Sequence, residues 1–149
     1  MNSSILQQAR QRGEALPYTG AVTPKEAYEL IQNDPAIHLI DVRTNAERDW
    51  VGQVDINPAQ SHSVQWNLYP SKPNPDFLAE LATMTSKDTI LLFLCRSGVR
   101  SRAAAQMACE HGYTQCYDIL EGFEGDKDLQ GHRKNLNGWC HADLPWRGA

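Results

Sequence analysis

The run Thr89-Ile-Leu-Leu-Phe-Leu94 is continuous, apolar and short, and it stops at Cys95. A half-exposed strand would alternate apolar and polar residues; an unbroken short run suits a strand covered on both faces, as in a parallel sheet. The stretch that follows, Ser101-Arg-Ala-Ala-Ala-Gln-Met-Ala-Cys-Glu-His111, reads as a helix opened by a serine able to cap it and closed by Gly112. A buried strand feeding a helix is the unit from which doubly covered sheets are built. Cys95 then lies at the carboxyl end of a central strand, the rim on which such sheets bind their ligands.

The same alternation recurs along the chain. Ser3 to Glu14 predicts a leading helix, ended by Gly13 and Leu16-Pro17. Thr23-Pro-Lys-Glu26 has the form of a capping box with proline at the first helical position, so a helix runs to about Asn33, and Ile37 to Val42 is the next strand. Thr44-Asn-Ala-Glu47 is a second capping box, starting a short helix directly after Asp41 and Arg43. Gln53 to Asn74 is irregular and proline-containing, with room for one short strand. Asn74-Pro-Asp-Phe77 opens a helix to about Thr83, Cys116 to Leu120 is the last clear strand, and Gly125 to Asn137 is a charged, helix-breaking insertion. The expected fold is α/β: one domain over 21–149, a central parallel sheet of about five strands with helices on both faces, preceded by an N-terminal helical extension over 1–20.

Composition narrows the class. A hydrophobic share of 41% in 149 residues supports one sizeable core. The net charge of −4 excludes a general nucleic-acid binder, which concentrates positive charge to release phosphate counterions. The cysteines at 95, 109, 116 and 140 form no Cys-x-x-Cys pair, and His38, His62, His111, His132 and His141 show no ligand spacing, so neither a metal nor a cofactor is expected. No secretory apolar core stands near Met1 and no stretch spans a bilayer, so a reducing cytoplasm without membrane attachment is the expected compartment.

The loop after Cys95 carries the chemistry. Arg96 and Arg100 follow the thiol by one and five residues, and the amides of a tight turn at a helix start point at one spot. Such a field collects anions and favours the thiolate, which is the nucleophilic form. By itself it allows phosphate, sulfur or redox chemistry. Asp41 and Arg43 belong to the same rim, as a pair that orders the neighbouring loop. Cys109, Cys116 and Cys140 occupy helix, strand and tail positions that fit inert packing, and Trp139 and Trp146 fit packing near the end of the fold.

Cys95-Arg-Ser-Gly-Val-Arg100, between a buried strand and a Ser/Ala-rich helix, resembles the active-site loop of the rhodanese family of sulfurtransferases. Leu39-Ile-Asp-Val-Arg-Thr-Asn-Ala-Glu47 followed by Gly52-Gln-Val54 is similar to a second family segment, and Ile119-Leu-Glu-Gly-Phe123, Gly138-Trp139 and Leu144-Pro-Trp146 to a third, weaker one. The resemblance implies a rhodanese-like domain in which Cys95 carries sulfane sulfur as a persulfide, from a small anionic donor such as thiosulfate or a persulfide to cyanide, a thiol or a protein. It implies that Arg96, Ser97, Gly98, Val99, Arg100 and Ser101 bind the donor. A carrier or protein-binding module without turnover is the alternative. Cysteine phosphatases are the remote one: their loop has five residues between cysteine and arginine, and this loop has four. The chain departs from the family pattern at Gln53 and Asn57-Pro58, and at Glu47, which is acidic where some two-domain relatives carry a donor-binding arginine.

Overall fold

The structure is a computed structural model, and it describes residues 2–69 and 71–148. In chain order the elements are α1 (Asn2–Arg12), β1 (Gly20–Val22), α2 (Pro24–Asn33), β2 (Ile37–Asp41), α3 (Asn45–Val51), β3 (Gln53–Val54), β4 (Ser61–Ser63), β5 (Asn67–Leu68), β6 (Lys72–Pro73), α4 (Phe77–Met84), β7 (Ile90–Leu94), α5 (Val99–Glu110), β8 (Cys116–Ile119) and β9 (Trp146–Arg147). Short 3₁₀ turns follow α1 and precede β4.

Five strands form the main sheet in the order β1-β8-β7-β2-β4, every pair parallel. The expected α/β sheet is thus present. Its alternation sorts two cores. Leu39, Leu92, Leu94, Tyr117 and Ile119 face the side that also holds Ala9 of α1 and Ala27, Leu30 and Ile31 of α2. Ile40, Leu91, Phe93, Cys95 and Cys116 face the side covered by Phe77 and Leu81 of α4 and Ala104, Ala105 and Ala108 of α5. The alanines let α5 lie close on the sheet, which is what brings its first turn over Cys95. Among the described residues, no helix is long and apolar enough to cross a membrane.

Both capping boxes form: Thr23 with Glu26, and Thr44 with Glu47. Four details depart from the sequence reading. α5 begins at Val99, with Gly98 as its N-cap in the left-handed region at φ 106°, so Ser101 is not a cap but lies inside the first turn. The helix opened by Asn74-Pro-Asp starts only at Phe77, because Asn74 spends its side chain on the Gln65 carbonyl and the Asp76 N–H. Among its described residues the irregular middle holds four short strands, not one. One of them, β4, is an edge strand of the main sheet. It reads Ser-His-Ser, and a strand paired on one side only needs no apolar signature. Gln60 fixes its start by donating to the carbonyls of Ile31, Asp34 and Ile37 at 3.0, 2.8 and 2.9 Å.

The charged segment 125–137 is without helix or strand. It is tied to the domain by Lys134 N–H to the Glu124 carbonyl and Arg133 to the Gly125 carbonyl. Trp139 is fully buried in the core beside Tyr28.

Candidate active site

Cys95 follows β7 directly, at the rim where the chain turns into α5. The turn is tight because Gly98 takes a positive φ that other residues avoid, and its N–H is thereby aimed back at the cysteine, donating to Sγ at 3.0 Å. Hydrogen bonding to sulfur at a helix start favours the thiolate. The residue is only 1% exposed.

A second loop braces the first from outside. Phe123 N–H donates to the Cys95 carbonyl at 2.8 Å, and the N–H groups of Glu124 and Gly125 donate to the Arg96 carbonyl at 3.0 and 3.1 Å. This fit demands Gly122, at φ 73°, where a Cβ would stand 2.5 Å from the Arg96 carbonyl.

Asp41 and Arg43 are both buried and bind each other, Arg43 Nη2 donating to Asp41 at 2.8 Å and to the Gly52 carbonyl at 2.8 Å. The guanidinium carbon of Arg43 lies 4.3 Å from the centre of the Phe123 ring. The pair therefore reaches Cys95 through Phe123 and its backbone hydrogen bond, and among the described residues the hydrogen bonds of the thiol are with Gly98 and Ser101.

Arg96 and Arg100 line a cleft of about 340 Å³ together with Thr44, Glu47, Tyr69 and Ser71. Arg100 is already engaged: its two terminal nitrogens meet the two Glu47 oxygens at 2.6 and 2.8 Å. Burial pushes the Glu47 carboxyl up, but the hydrogen bonds and charge of Arg100, with those of the Thr44 cap, outweigh it and hold the group down to about 2. One carboxylate thus closes the capping box of α3 and neutralises the arginine of the cysteine loop. Arg96 is exposed at the same cleft. Ala46, Glu47 and Tyr69 also border an adjoining apolar shelf with Val51 and Trp50, which is 88% exposed.

Ser97 and Gly98 face a different cleft, and Val99 is exposed at the helix start. Ser101 turns inward. The Cys95 thiol donates to its Oγ at 3.3 Å, and the Ser101 hydroxyl donates in turn to Asp118 Oδ1 at 2.5 Å. Asp118 escaped the sequence reading, although an acid in the buried strand Cys-Tyr-Asp-Ile was its signal. Asp118 pairs with Phe93, and period-two alternation puts Cys95 on the same face as Phe93, so acid and thiol share the space beneath α5.

All four cysteines are free thiols. Burial pushes the Cys116 and Cys140 thiols up, Cys140 to about 11, which makes both poor nucleophiles.

Comparison with known proteins places this geometry. The family described as "STR4 middle domain" matches residues 19–149. An uncharacterized protein of Rickettsia conorii is 36% identical over 126 residues, 82% of this chain and 92% of that protein. The thiosulfate sulfurtransferase GlpE of Glaesserella parasuis is 31% identical over 124 residues, 83% of this chain and 89% of its own. Among solved structures, Rv0390 of M. tuberculosis superposes with a TM-score of 0.80 at 39% identity, covering 89% of this chain and 99% of that one. The rhodanese-like domain of an Anabaena protein shares the fold, with a TM-score of 0.58 at 14% identity over 87% of this chain and 79% of its own. A thiol at the end of the central strand of a five-stranded parallel sheet, in a chain so related along most of its length, puts this protein in the rhodanese-like family.

Proposed function

We propose that the protein is a sulfurtransferase that carries sulfane sulfur on Cys95. The observation that carries the reading is the Cys95 sulfur at the end of β7, receiving the Gly98 N–H at 3.0 Å in a loop whose arginines border an open cleft. The thiolate attacks the outer sulfur of a donor R–S–S⁻ or of thiosulfate. A bond forms between Cys95 Sγ and that sulfur, the old sulfur–sulfur bond breaks, and the leaving thiolate or sulfite departs with the electron pair. An acceptor nucleophile then attacks the outer persulfide sulfur, and Cys95 leaves as thiolate. Arg96 and the share of Arg100 not taken by Glu47 meet the departing anion. No metal takes part in this scheme, and a reducing compartment such as the cytoplasm keeps the thiol usable.

GlpE, by its name, uses thiosulfate, and the same donor is proposed for this chain. Glu47 favours a singly charged persulfide over the thiosulfate dianion, since its carboxylate faces the same cleft. A protein acceptor is a second reading, favoured by Trp50 and Tyr69, 88% and 73% exposed beside the cleft. Phosphatase chemistry is disfavoured by the loop length, four residues between Cys95 and Arg100.

The test is thiocyanate formation from cyanide with thiosulfate or glutathione persulfide. The expected result is turnover that Cys95→Ser abolishes, with a gain of one sulfur atom on Cys95 by mass spectrometry. Turnover that survives the substitution overturns the assignment.

A further inference from the structure

The Cys95, Ser101 and Asp118 side chains form an unbroken hydrogen-bond chain in a protein interior, with links of 3.3 and 2.5 Å. Asp118 is 1% exposed, Ser101 is fully buried, and among the described residues neither forms an ion pair with a cationic side chain within 4.0 Å. A buried carboxylate is costly unless it is paired, so this one needs a reason. We propose that Asp118 accepts the proton of the Cys95 thiol through Ser101, so that thiol and carboxyl share one proton in the resting enzyme.

The transfer balances within the three side chains. The Cys95 S–H bond breaks and its proton passes to Ser101 Oγ, while the Ser101 proton passes to Asp118 Oδ1. The product is a thiolate that accepts from Ser101, a Ser101 that accepts from Asp118, and a neutral carboxyl. Negative charge moves from the buried carboxylate to the sulfur, where the Gly98 N–H already waits. The exchange rests on the sulfur-transfer reading for its purpose but not for its chemistry.

The surroundings of Asp118 support a proton held near neutrality. Burial pushes its carboxyl up to about 7, against the downward pull of the Ser101 hydrogen bond and the Arg102 charge. Tyr18 faces it from the segment before β1, and its hydroxyl is pushed up by burial and by the Asp118 charge. Glu121 and Asp126, with Arg102, line a cleft of about 390 Å³ that reaches Asp118 and shares no lining residue with the arginine cleft. The proton therefore has a way to solvent that does not cross the donor.

Coupled groups that share a proton titrate in two steps belonging to the pair. The experiment is the rate of Cys95 alkylation by iodoacetamide against pH, read at that residue by mass spectrometry. The wild-type chain is expected to show two rises separated by a plateau, the plateau being the fraction with the proton on Asp118. Asp118→Asn keeps a hydrogen-bonding side chain but removes the acceptor, and is expected to give a single rise at lower pH than the upper wild-type step. Ser101→Ala keeps both titrating groups but removes the hydrogen bond that stabilises the charged carboxylate together with the link to the thiol, and is expected to change the height of the plateau while leaving both steps in place. A single rise in the wild-type chain overturns the proposal whatever the variants do, as does an Asp118→Asn profile that keeps both steps. Alkylation needs no sulfur donor, so the two ideas fail separately. A chain that shows both steps without sulfur transfer loses the proposed function and keeps the shared proton; sulfur transfer with a single step does the reverse.

Discussion

At the scale of single residues the site is a contest over charge. Arg100 offers a cation to the donor, and Glu47 has taken it with two hydrogen bonds of 2.6 and 2.8 Å. Glu47→Gln preserves the capping residue type while removing the negative charge. It is expected to lower the KM for thiosulfate about tenfold, since a freed guanidinium and a lost repulsion both favour a dianion, with a smaller effect on a singly charged persulfide. The same substitution carries a stability cost with a definite pH dependence. The folded carboxyl is held at about 2, below its ordinary 4.5, so the stabilisation is complete above the unfolded value and disappears as pH falls through the folded one. After discounting for partial exposure, the variant is expected to be about 2 kcal/mol less stable at pH 7 and to converge on wild type as the pH falls through the folded value. Urea unfolding across that pH range, with donor kinetics, checks this, and an unchanged KM for thiosulfate counts against the role given to Glu47. Sequence showed Cys95, Arg96 and Arg100 because a loop declares its charges in a few consecutive residues. It could not show that Glu47 and Arg100 meet, nor that Asp118 lies beneath Ser101, because those contacts join separate strands and helices.

At the scale of elements, the local rules were legible wherever a residue acts on its own backbone. Both capping boxes, the Pro24 helix start and the apolar β7 could be read directly. The polar edge strand β4 and the true start of α5 could not, since pairing with β2 decides the first and the φ of Gly98 decides the second. The turn between β7 and α5 also depends on a distant loop, and two glycines separate the causes. At Gly98 an added Cβ would meet only the Glu121 nitrogen, at 3.7 Å, so alanine there suffers mainly the positive φ. At Gly122 the Cβ would meet the Arg96 carbonyl at 2.5 Å, so alanine must push the cysteine loop away. Gly122→Ala is expected to cost about 1–3 kcal/mol of stability and, by displacing the nucleophile, about 100-fold in kcat/KM. The two glycine variants are to be compared by urea unfolding and sulfur transfer. A Gly122→Ala protein as active as wild type would mean that the 120–125 loop does not set the position of Cys95.

At the scale of the whole molecule, the family match and the physical domain have different boundaries. The match begins at residue 19, and the sequence reading set residues 1–20 apart as an extension, yet α1 is packed into the fold. Ala9 is fully buried, Ile5 and Leu6 pack on the same core, and the Ala9 carbonyl lies so close to β1 that a Cβ on Gly20 would stand 2.2 Å from it. Arg12 closes the contact from the end of the helix, donating to the Ala21 carbonyl at 2.9 Å and to Glu26 at 2.6 Å. The helix therefore covers β1, an edge strand paired with β8, the strand that carries Asp118. Removing residues 2–12 exposes Val22 and the flank of α2 and leaves β1 held by one strand alone. The expected loss is about 2–4 kcal/mol, from the apolar area returned to water and the lost Arg12 bonds. Urea unfolding should show it as a lower midpoint in a single transition, because the helix shares a core with the sheet and has none of its own. The shortened chain should also lose protection of the β1 and β8 amides in hydrogen exchange before those of β7 and β2, which remain paired on both sides. An unchanged midpoint would make α1 an appendage, and the domain would then begin where the family match does.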